Sequence, residues 1–271
     1  MKNHFIFGYS GNKRLECIDI YNSIKPILNS VNTIIEPFCG SSAISYYIST
    51  KHPKKYKYIL NDNSKRLINV YKLMKDEDKY NKLIDDLEKM YKDIFNKDLS
   101  EQQQKEKYNK LLILTDNDYI NTINYIFINK YRTIRAGLFP MSKKQSPFNR
   151  KYFEDVPILK FLREEDITLL NEDGTELVDK NKNNENVLLI LDPPYLNSCN
   201  SYYDSVGDIN KCNIYEYTFN NKIDTYKAKI ILIIENIWIN KLLYNNLIKQ
   251  TYNKLYQPSK RKTEHIIVSN Y

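Results

Sequence analysis

Residues 187–195 read Val-Leu-Leu-Ile-Leu-Asp-Pro-Pro-Tyr. Five consecutive aliphatic residues, without alternation, predict a strand that is buried on both faces, as in a parallel sheet. The strand ends at the carboxylate of Asp192, and two prolines and the ring of Tyr195 follow it. Because open α/β sheets bind their ligands at the carboxyl ends of the strands, this stretch predicts both the fold class and the position of a site.

The rest of the chain extends this α/β pattern. Helical stretches alternate with most of the strand-like runs, which favours a parallel sheet covered by helices on both faces. The predicted strands are 33–37, 56–60, 167–170, 187–191 and 230–234, and the predicted helices are 43–50, 65–74 and 238–249. Two late runs, 251–256 and 264–269, predict an antiparallel pair at the sheet edge. Residues 179–186, rich in Asn and Lys, predict an exposed loop.

The alternation is interrupted between the second and third predicted strands. Apolar residues recur at helical spacing from Leu83 to Ile94 and again from Ile120 to Phe127. An irregular basic segment from Arg132 to Arg150 follows. We therefore predict a core domain of residues 1–75 and 153–271, with residues 76–152 as a helical insertion that recognises the target.

Composition narrows the class of protein. The chain has 271 residues and is 42% hydrophobic, which is sufficient for a sizeable core. The net charge of +8 fits a polyanionic partner, although a lysine-rich surface that maintains solubility would give the same value. The four cysteines form no CxxC pair and the three histidines are scattered, so we expect neither a zinc site nor a disulfide framework. No apolar stretch is long enough to span a membrane and no signal peptide is evident, so we expect an intracellular protein.

The segment from Asp192 to Tyr195 suits chemistry on the exocyclic amine of a flat base. The Asp192 carboxylate and the Pro193 carbonyl could each accept one amine hydrogen, which would direct the nitrogen lone pair at an electrophile. Pro193 and Pro194 would stiffen this pair of acceptors, and Tyr195 could stack on the base. The alternative is an ordinary tight turn after a strand, because Asp-Pro often opens turns.

Three other segments have the character of a ligand site. In Glu36-Pro37-Phe38-Cys39-Gly40-Ser41-Ser42, a strand gives way to a helix, and the glycine allows a ligand to approach the backbone. A single glycine does not make a dinucleotide fingerprint. In Asn61-Asp62-Asn63, the carboxylate could bind ribose hydroxyls or cap a helix. Tyr9-Ser10-Gly11-Asn12-Lys13 is a glycine-containing loop with a ring and a cation, and alone it predicts a turn.

In identity and order, these segments resemble the motifs of the Dam-type (D12 class) N6-adenine-specific DNA methyltransferases. That family has Tyr/Trp-x-Gly-Asn-Lys, acidic-x-Phe-x-Gly, Asn-Asp and Asp-Pro-Pro-Tyr segments, matched here by residues 9–13, 36–40, 61–62 and 192–195. Residues 129–139 resemble the stretch before the family's DNA-reading loop. The resemblance extends from about Phe7 to Tyr271. It departs from the family at Glu36, where Asp is commoner, and at Ser41-Ser42, which replace further glycine.

The resemblance implies a Rossmann-like methyltransferase that transfers the methyl group of S-adenosylmethionine to an adenine flipped out of double-stranded DNA. No metal is implied. The implied catalytic residues are Asp192, Pro193, Pro194 and Tyr195. The implied cofactor-binding residues are Tyr9, Lys13, Glu36, Phe38, Gly40, Asp62, Asn171, Asp192 and Tyr202, with Tyr203 as a competitor for the last position.

The basic segment would supply the contacts with DNA. The candidates for phosphate contacts are Lys130, Arg132, Arg135, Lys143, Lys144 and Arg150. Arg132 or Arg135 could also recognise a guanine edge through paired hydrogen bonds. For each of these residues, the alternative is a solvated surface cation.

Two other kinds of function remain open from the sequence. The first is methylation of another amino group, such as adenine in RNA, cytosine N4 or a glutamine side chain. The cytosine N4 and glutamine enzymes tend to have Ser or Asn at the position of Asp192. The second is a catalytically silent nucleic-acid-binding homologue, against which the intact segment from Asp192 to Tyr195 argues.

Overall fold

Seven strands form one sheet in the part of the chain that the computed structural model describes, which is residues 3–9, 11–132, 140–142, 146–195, 222–256 and 261–271. The strands are β1 (Thr33–Glu36), β2 (Lys57–Asn61), β3 (Asp166–Leu170), β4 (Val187–Leu191), β5 (Lys229–Glu235), β6 (Ile248–Tyr256) and β7 (Arg261–Ser269). Their order across the sheet is β3-β2-β1-β4-β5-β7-β6. Strands β1 to β5 are parallel, whereas β7 runs antiparallel to both β5 and β6. The predicted parallel sheet with an antiparallel pair at its edge is confirmed.

The chain changes direction across the sheet beside β1. From β1 it adds β2 and then β3 on one side, and it later places β4 and β5 on the other side. The carboxyl ends of β1 and β4 therefore flank the topological switch point, where sheets of this kind bind their ligands.

Helices connect most of these strands. In the described residues they are α1 (Cys17–Ile24), α2 (Ala43–Lys51), α3 (Lys65–Lys75), α4 (Glu77–Ile94), α5 (Glu101–Lys110), α6 (Asp118–Tyr131), α7 (Arg150–Glu154), α8 (Ile158–Glu164), α9 (Gly174–Asn181) and α10 (Trp238–Tyr244). Short 3-10 turns cover Lys25–Ser30, Ile223–Thr225 and Asn245–Leu247. Polar caps fix several helix starts: Ser64 accepts a hydrogen bond from the N–H of Leu67, and Asp173 accepts one from the N–H of Thr175. None of the helices within the described ranges has the length and apolar character needed to cross a membrane.

The described residues fall into two compact units. The sheet unit lies within residues 12–63, 165–195 and 222–271, and its core packs aliphatic side chains of β1, β4, β5 and β7. The helical unit lies within residues 3–11 and 64–164, and aromatic rings such as those of Phe5, Phe7 and Tyr125 pack inside it. Residues 76–152 belong to the helical unit, which also contains residues 3–11, α3 and α8. The boundaries of a recognition domain at 76 and 152 stay a prediction.

Two local predictions were wrong at their ends. The predicted helix 238–249 stops at Tyr244, and Ile248 already belongs to β6. The predicted loop 179–186 begins inside α9, which continues to Asn181. Helices α1, α7, α8 and α9 were not predicted from the sequence.

Candidate active site

Four of the predicted site residues lie where neighbouring parallel strands end. Glu36 is the last residue of β1, and Asp62, Asn171 and Asp192 directly follow β2, β3 and β4. The register aligns these ends, because Glu36 pairs with Leu60 in β2. The sheet unit therefore brings carboxylates that are distant in sequence to one edge, on both sides of the switch point.

The Asp192 carboxylate has a different partner on each oxygen. Oδ2 accepts a hydrogen bond from the ammonium of Lys13, and Oδ1 accepts one from the Tyr195 hydroxyl at 2.9 Å. Lys13 lies in the loop before α1, and its side chain is only 4% exposed, whereas that of Asp192 is 17% exposed. The orientation of the Asp192 carboxylate is thus fixed by two hydrogen bonds, one of them from an opposite charge, while part of the side chain stays accessible to solvent.

Glu36 is buried behind this pair. Its carboxylate accepts a hydrogen bond of 2.8 Å from the backbone N–H of Ser45, in the first turn of α2. Burial raises the pKa of Glu36 to about 7, and the charge of Asp192 raises it further, while the bonds from Ser45 and the charge of Lys13 oppose that shift. The side chain thereby ties the end of β1 to the start of α2.

The turn between β1 and α2 packs onto the end of β2. The backbone N–H of Gly40 donates to Oδ2 of Asp62 at 3.0 Å, and the N–H of Cys39 donates to the carbonyl of Asn61 at 2.8 Å. Gly40 has a φ of 49°, which favours glycine. The Asn171 side chain donates to the carbonyl of Asp62 at 2.8 Å. These bonds bring together Gly40, Asp62 and Asn171, which the resemblance implies as cofactor-binding residues.

The ring of Phe38 lies against the start of α9. A Cβ atom on Gly174 would stand 2.5 Å from Cε1 of Phe38 and 2.9 Å from the carbonyl oxygen of Pro37. Only a residue without a side chain allows this approach. Gly174 therefore sets the position of Phe38, which the sequence predicts to line the cofactor pocket.

A polar cluster that was not predicted lies behind Asp192 in the sheet unit. The Tyr195 ring is 6% exposed and meets His265 of β7 edge to face, with ring centroids 5.0 Å apart. The hydroxyl of Tyr252 in β6 also lies 3.4 Å from Nδ1 of His265. Lys254 of β6 forms a buried ion pair of 2.7 Å with Glu16, beside Lys13. In the structure, Tyr252 and Lys254 alternate with exposed residues along the strand, which places both on its buried face. The sequence shows no apolar alternation here, because one of the two buried residues is a lysine.

Other predicted residues belong to the helical unit. Tyr9 is half-buried, and its ring meets that of Phe5 at 6.5 Å. The ammonium of Lys130 lies 3.2 Å from the centroid of the Tyr152 ring, and burial lowers the pKa of Lys130 to about 8. Arg132 is half-buried at the end of α6. Their proposed roles stay predictions.

Arg150 has carboxylate partners within the helical unit. Its guanidinium pairs with Asp85 at 2.7 Å and with Glu154 at 2.8 Å. The remaining predicted residues lie outside the described part of the chain: Tyr202, Tyr203, Arg135, Lys143 and Lys144. Within the described ranges, no group of three or more His, Cys, Asp or Glu side chains is arranged to hold a metal ion.

Comparison with known proteins identifies the family. The family model described as D12 class N6 adenine-specific DNA methyltransferase matches residues 9–266. The chain belongs to this family. A type II methyltransferase, M.MjaIII of Methanocaldococcus jannaschii, is 26% identical over 246 residues, which cover 84% of this chain and 78% of the relative. The match to the family includes every motif from Tyr9 to Tyr195 and most of β7.

This methyltransferase is an adenine-specific DNA-modifying enzyme, and S-adenosylmethionine is the methyl donor that its family implies. The resemblance found in its motifs, its α/β fold and its enzymatic class are confirmed. The assignment of individual residues to cofactor, base and DNA is a separate question.

Proposed function

We propose that this enzyme methylates N6 of an adenine that has been extruded from double-stranded DNA, at a specific site, and that Asp192 orients the amine. The observation that carries the proposal is the position of Asp192: a partly exposed carboxylate at the switch point, held by Lys13 and Tyr195. Ligands of open α/β sheets bind at this place.

The residues at the sheet edge fit the chemical parts of S-adenosylmethionine. Asp62 follows β2, where a carboxylate suits ribose hydroxyls. The opposite charges of Asp192 and Lys13 suit the amino-acid end of the cofactor, and Gly40 allows close approach to the backbone. Phe38 and Asn171 would line the pocket, with Glu36 behind it. When bound, the cofactor supplies an electrophilic methyl group on its sulfonium.

The chain's own contribution is to orient the target amine. The N6 lone pair of adenine is delocalised into the ring, so the amine is a weak nucleophile. The carboxylate of Asp192 and the carbonyl of Pro193 would each accept one N6 hydrogen, which favours a nitrogen whose lone pair points at the methyl group. Lys13 and Tyr195 keep the carboxylate in place before the base arrives, so its reorientation costs little.

Tyr195 has a second role in the proposal, that of a stacking platform for the base. Its ring is already packed against His265 and lies 5.1 Å, centroid to ammonium, from Lys13. Stacking would therefore use the small part of the ring that is exposed. The hydrogen bond to Asp192 is the better supported role of this residue.

An adenine in a duplex must leave the base stack to reach Asp192. We propose that phosphate contacts from Lys130 and Arg132, together with Arg135, Lys143 and Lys144, help to offset the cost of extrusion. The net charge of +8 is consistent with such contacts.

The test is a methyl-transfer assay with labelled S-adenosylmethionine and duplexes of mixed sequence. Nucleoside analysis of the product should show label in N6-methyladenine. Asp192→Ala should lower the rate by about 10²–10³-fold, because it removes an oriented acceptor. Asp224→Ala is the matched control, since Asp224 is an exposed carboxylate in the 3-10 turn before β5 and should leave the rate unchanged.

Three outcomes would contradict the proposal. Label in cytosine N4 would point to a different amine. A higher rate on RNA duplexes of the same sequence than on the DNA duplexes would point to RNA. A rate unchanged by Asp192→Ala would show that this carboxylate does not orient the amine.

A further inference from the structure

A buried imidazole lies behind the segment from Asp192 to Tyr195. His265 is fully buried in β7, where it is paired in register with Glu235 of β5 on one side and Tyr252 of β6 on the other. Its Nδ1 lies 3.4 Å from the hydroxyls of Tyr195 and of Tyr252. A histidine at 0% exposure must find its polar partners inside the protein, and two tyrosine hydroxyls are among them.

The surroundings of His265 keep the ring neutral. Burial lowers its pKa far below the usual value, and the positive charges of Lys13 and Lys254 lower it further. A neutral imidazole has one N–H donor and one acceptor nitrogen. A cation at this position would stand near two ammonium groups, so His265 is unsuited to receive the proton that leaves the methylated amine.

The Tyr195 hydroxyl connects His265 to the carboxylate. It has one proton, which it donates to Oδ1 of Asp192 at 2.9 Å. Its oxygen then faces Nδ1 of His265, while the edge of one ring packs against the face of the other at 87°. At 3.4 Å the polar contact is long, so ring packing carries part of the restraint.

We infer that His265 is a positioning residue for methyl transfer, which holds Tyr195 and, through its hydroxyl, the orientation of the Asp192 carboxylate. The inference rests on the proposed function of Asp192. Lys13 fixes one oxygen of that carboxylate, and the Tyr195–His265 pair fixes the other. The antiparallel strand β7, which lies between β5 and β6, thereby contributes to a site built at the ends of parallel strands.

Two polar replacements test this role. His265→Asn places an amide atom near the position of Nδ1, whereas His265→Gln places it near that of Nε2. We expect His265→Asn to retain most of kcat and His265→Gln to lose about 10-fold to 100-fold, because misplacing a reacting group by about 1 Å has an effect of that size. KM for the cofactor and for DNA should change much less than kcat in both variants. A merely structural histidine would not distinguish the two amides in kcat at equal folded fraction.

A double-mutant cycle tests the route through Tyr195. Tyr195→Phe removes the hydroxyl that connects the two residues. If His265 acts through it, His265→Gln should lower kcat in the wild-type background and have little further effect in the Tyr195→Phe background. Effects that simply multiply would overturn the inference, as would wild-type kcat in His265→Gln.

The failure of this inference differs from a failure of the proposed function. The proposed function is tested on the wild-type enzyme, by label in N6-methyladenine. The positioning role is tested only by the ratio of variant to wild-type kcat. An enzyme that methylates adenine equally well with Asn or Gln at position 265 would keep its function and refute the role of His265.

Discussion

Asp192 and Lys13 are separated by 179 residues, yet their side chains form an ion pair at the sheet edge. Lys13 is almost completely buried, so any substitution that removes the Asp192 carboxylate takes an ion-pair partner from a buried ammonium. Such a substitution is expected to lower the unfolding free energy. Loss of activity in Asp192 variants must therefore be read beside their unfolding free energy. The Asp224 control does not have this coupling, because its side chain is exposed.

Glu36 gives a prediction at the scale of one residue. Its pKa is raised from 4.5 to about 7 in the folded protein, so the folded state holds a proton that the unfolded state releases between those values. Its contribution to stability is thus fully present below pH 4.5 and falls as the pH rises towards 7. Glu36→Gln removes this dependence and keeps an oxygen for the N–H of Ser45. The variant should gain stability relative to wild type with rising pH, by up to about 3 kcal/mol.

The measurement is denaturant unfolding of both proteins at pH 5 and pH 8. A difference in unfolding free energy that stays constant between the two pH values would show that Glu36 is ionised throughout.

Motifs that are local in sequence predicted the residues at the strand ends, because each follows its own strand directly. The common location of Glu36, Asp62 and Asp192 needed only the rule that parallel strands end at one edge, whereas Asn171 was predicted from the family resemblance. His265 could not be found in this way, because its partner Tyr195 is 70 residues distant and no local pattern marks the pair. The sequence also predicted that Tyr195 could stack on the base, and it did not predict the hydrogen bond from its hydroxyl to Asp192 or the packing of its ring against His265.

At the scale of elements, the contact between α9 and the β1–α2 turn depends on one glycine. Gly174→Ala would press a methyl group against the Phe38 ring and the Pro37 carbonyl. The unfolding free energy should fall by about 1–3 kcal/mol, as for overpacking elsewhere. The matched control is Gly8→Ala, where an added Cβ meets no atom within 4 Å and stability should change by less than about 0.5 kcal/mol. Equal effects in thermal or denaturant unfolding would refute the close approach.

The ion pair between β6 and the start of α1 gives a second prediction for elements. Lys254 and Glu16 are both buried, and burial lowers the pKa of Lys254 to about 8. Lys254→Met leaves the Glu16 carboxylate buried without this partner and should lower the unfolding free energy by about 3–5 kcal/mol. Replacing both residues, in Glu16→Leu/Lys254→Met, should recover most of that loss.

Denaturant unfolding of the two single variants and the double variant gives the coupling energy. Additive losses, with no recovery in the double variant, would contradict a strong pair. Glu16 is three residues from Lys13 in the loop before α1. The methyl-transfer rate should therefore fall in the variants that lose stability and recover in the double variant.

The limits of sequence prediction at this scale are visible at α10. Apolar residues continue at helical spacing from Leu242 and Leu243 to Leu247 and Ile248, which favours one long helix. In the fold, Ile248 pairs with Val268, and the ladder with β7 continues after an irregularity between Ile248 and Gln250. Pairing with a distant strand overrides the local spacing, and no pattern within residues 238–249 reports it.

For the whole molecule, the excess of positive charge predicts binding to DNA that weakens with salt. Arg132 is the residue to test, and Arg150 is its comparison. Both belong to the helical unit, and Arg150 already forms ion pairs with Asp85 and Glu154. Arg132→Gln should reduce the slope of log affinity against log salt by about 1, which is the share of one phosphate contact. Arg150→Gln should change the slope less.

Titration of a fluorescent duplex at several salt concentrations measures these slopes. A slope that is the same in Arg132→Gln as in wild type would remove Arg132 from the phosphate contacts. A larger change of slope in Arg150→Gln than in Arg132→Gln would indicate that DNA phosphates replace the carboxylate partners of Arg150.

The connection between β2 and β3 has a consequence for how such enzymes diversify. The chain leaves the sheet after Asn61 and returns at Asp166, in the strand next to the one it left, with Lys57 opposite Asp166. An excursion between adjacent strands can lengthen at small cost, about 0.6 kcal/mol for each doubling of a flexible loop. On the proposal that the helical insertion recognises the target, exchanging or enlarging residues 76–152 would change the DNA sequence that is recognised, while the sheet unit stays unaltered.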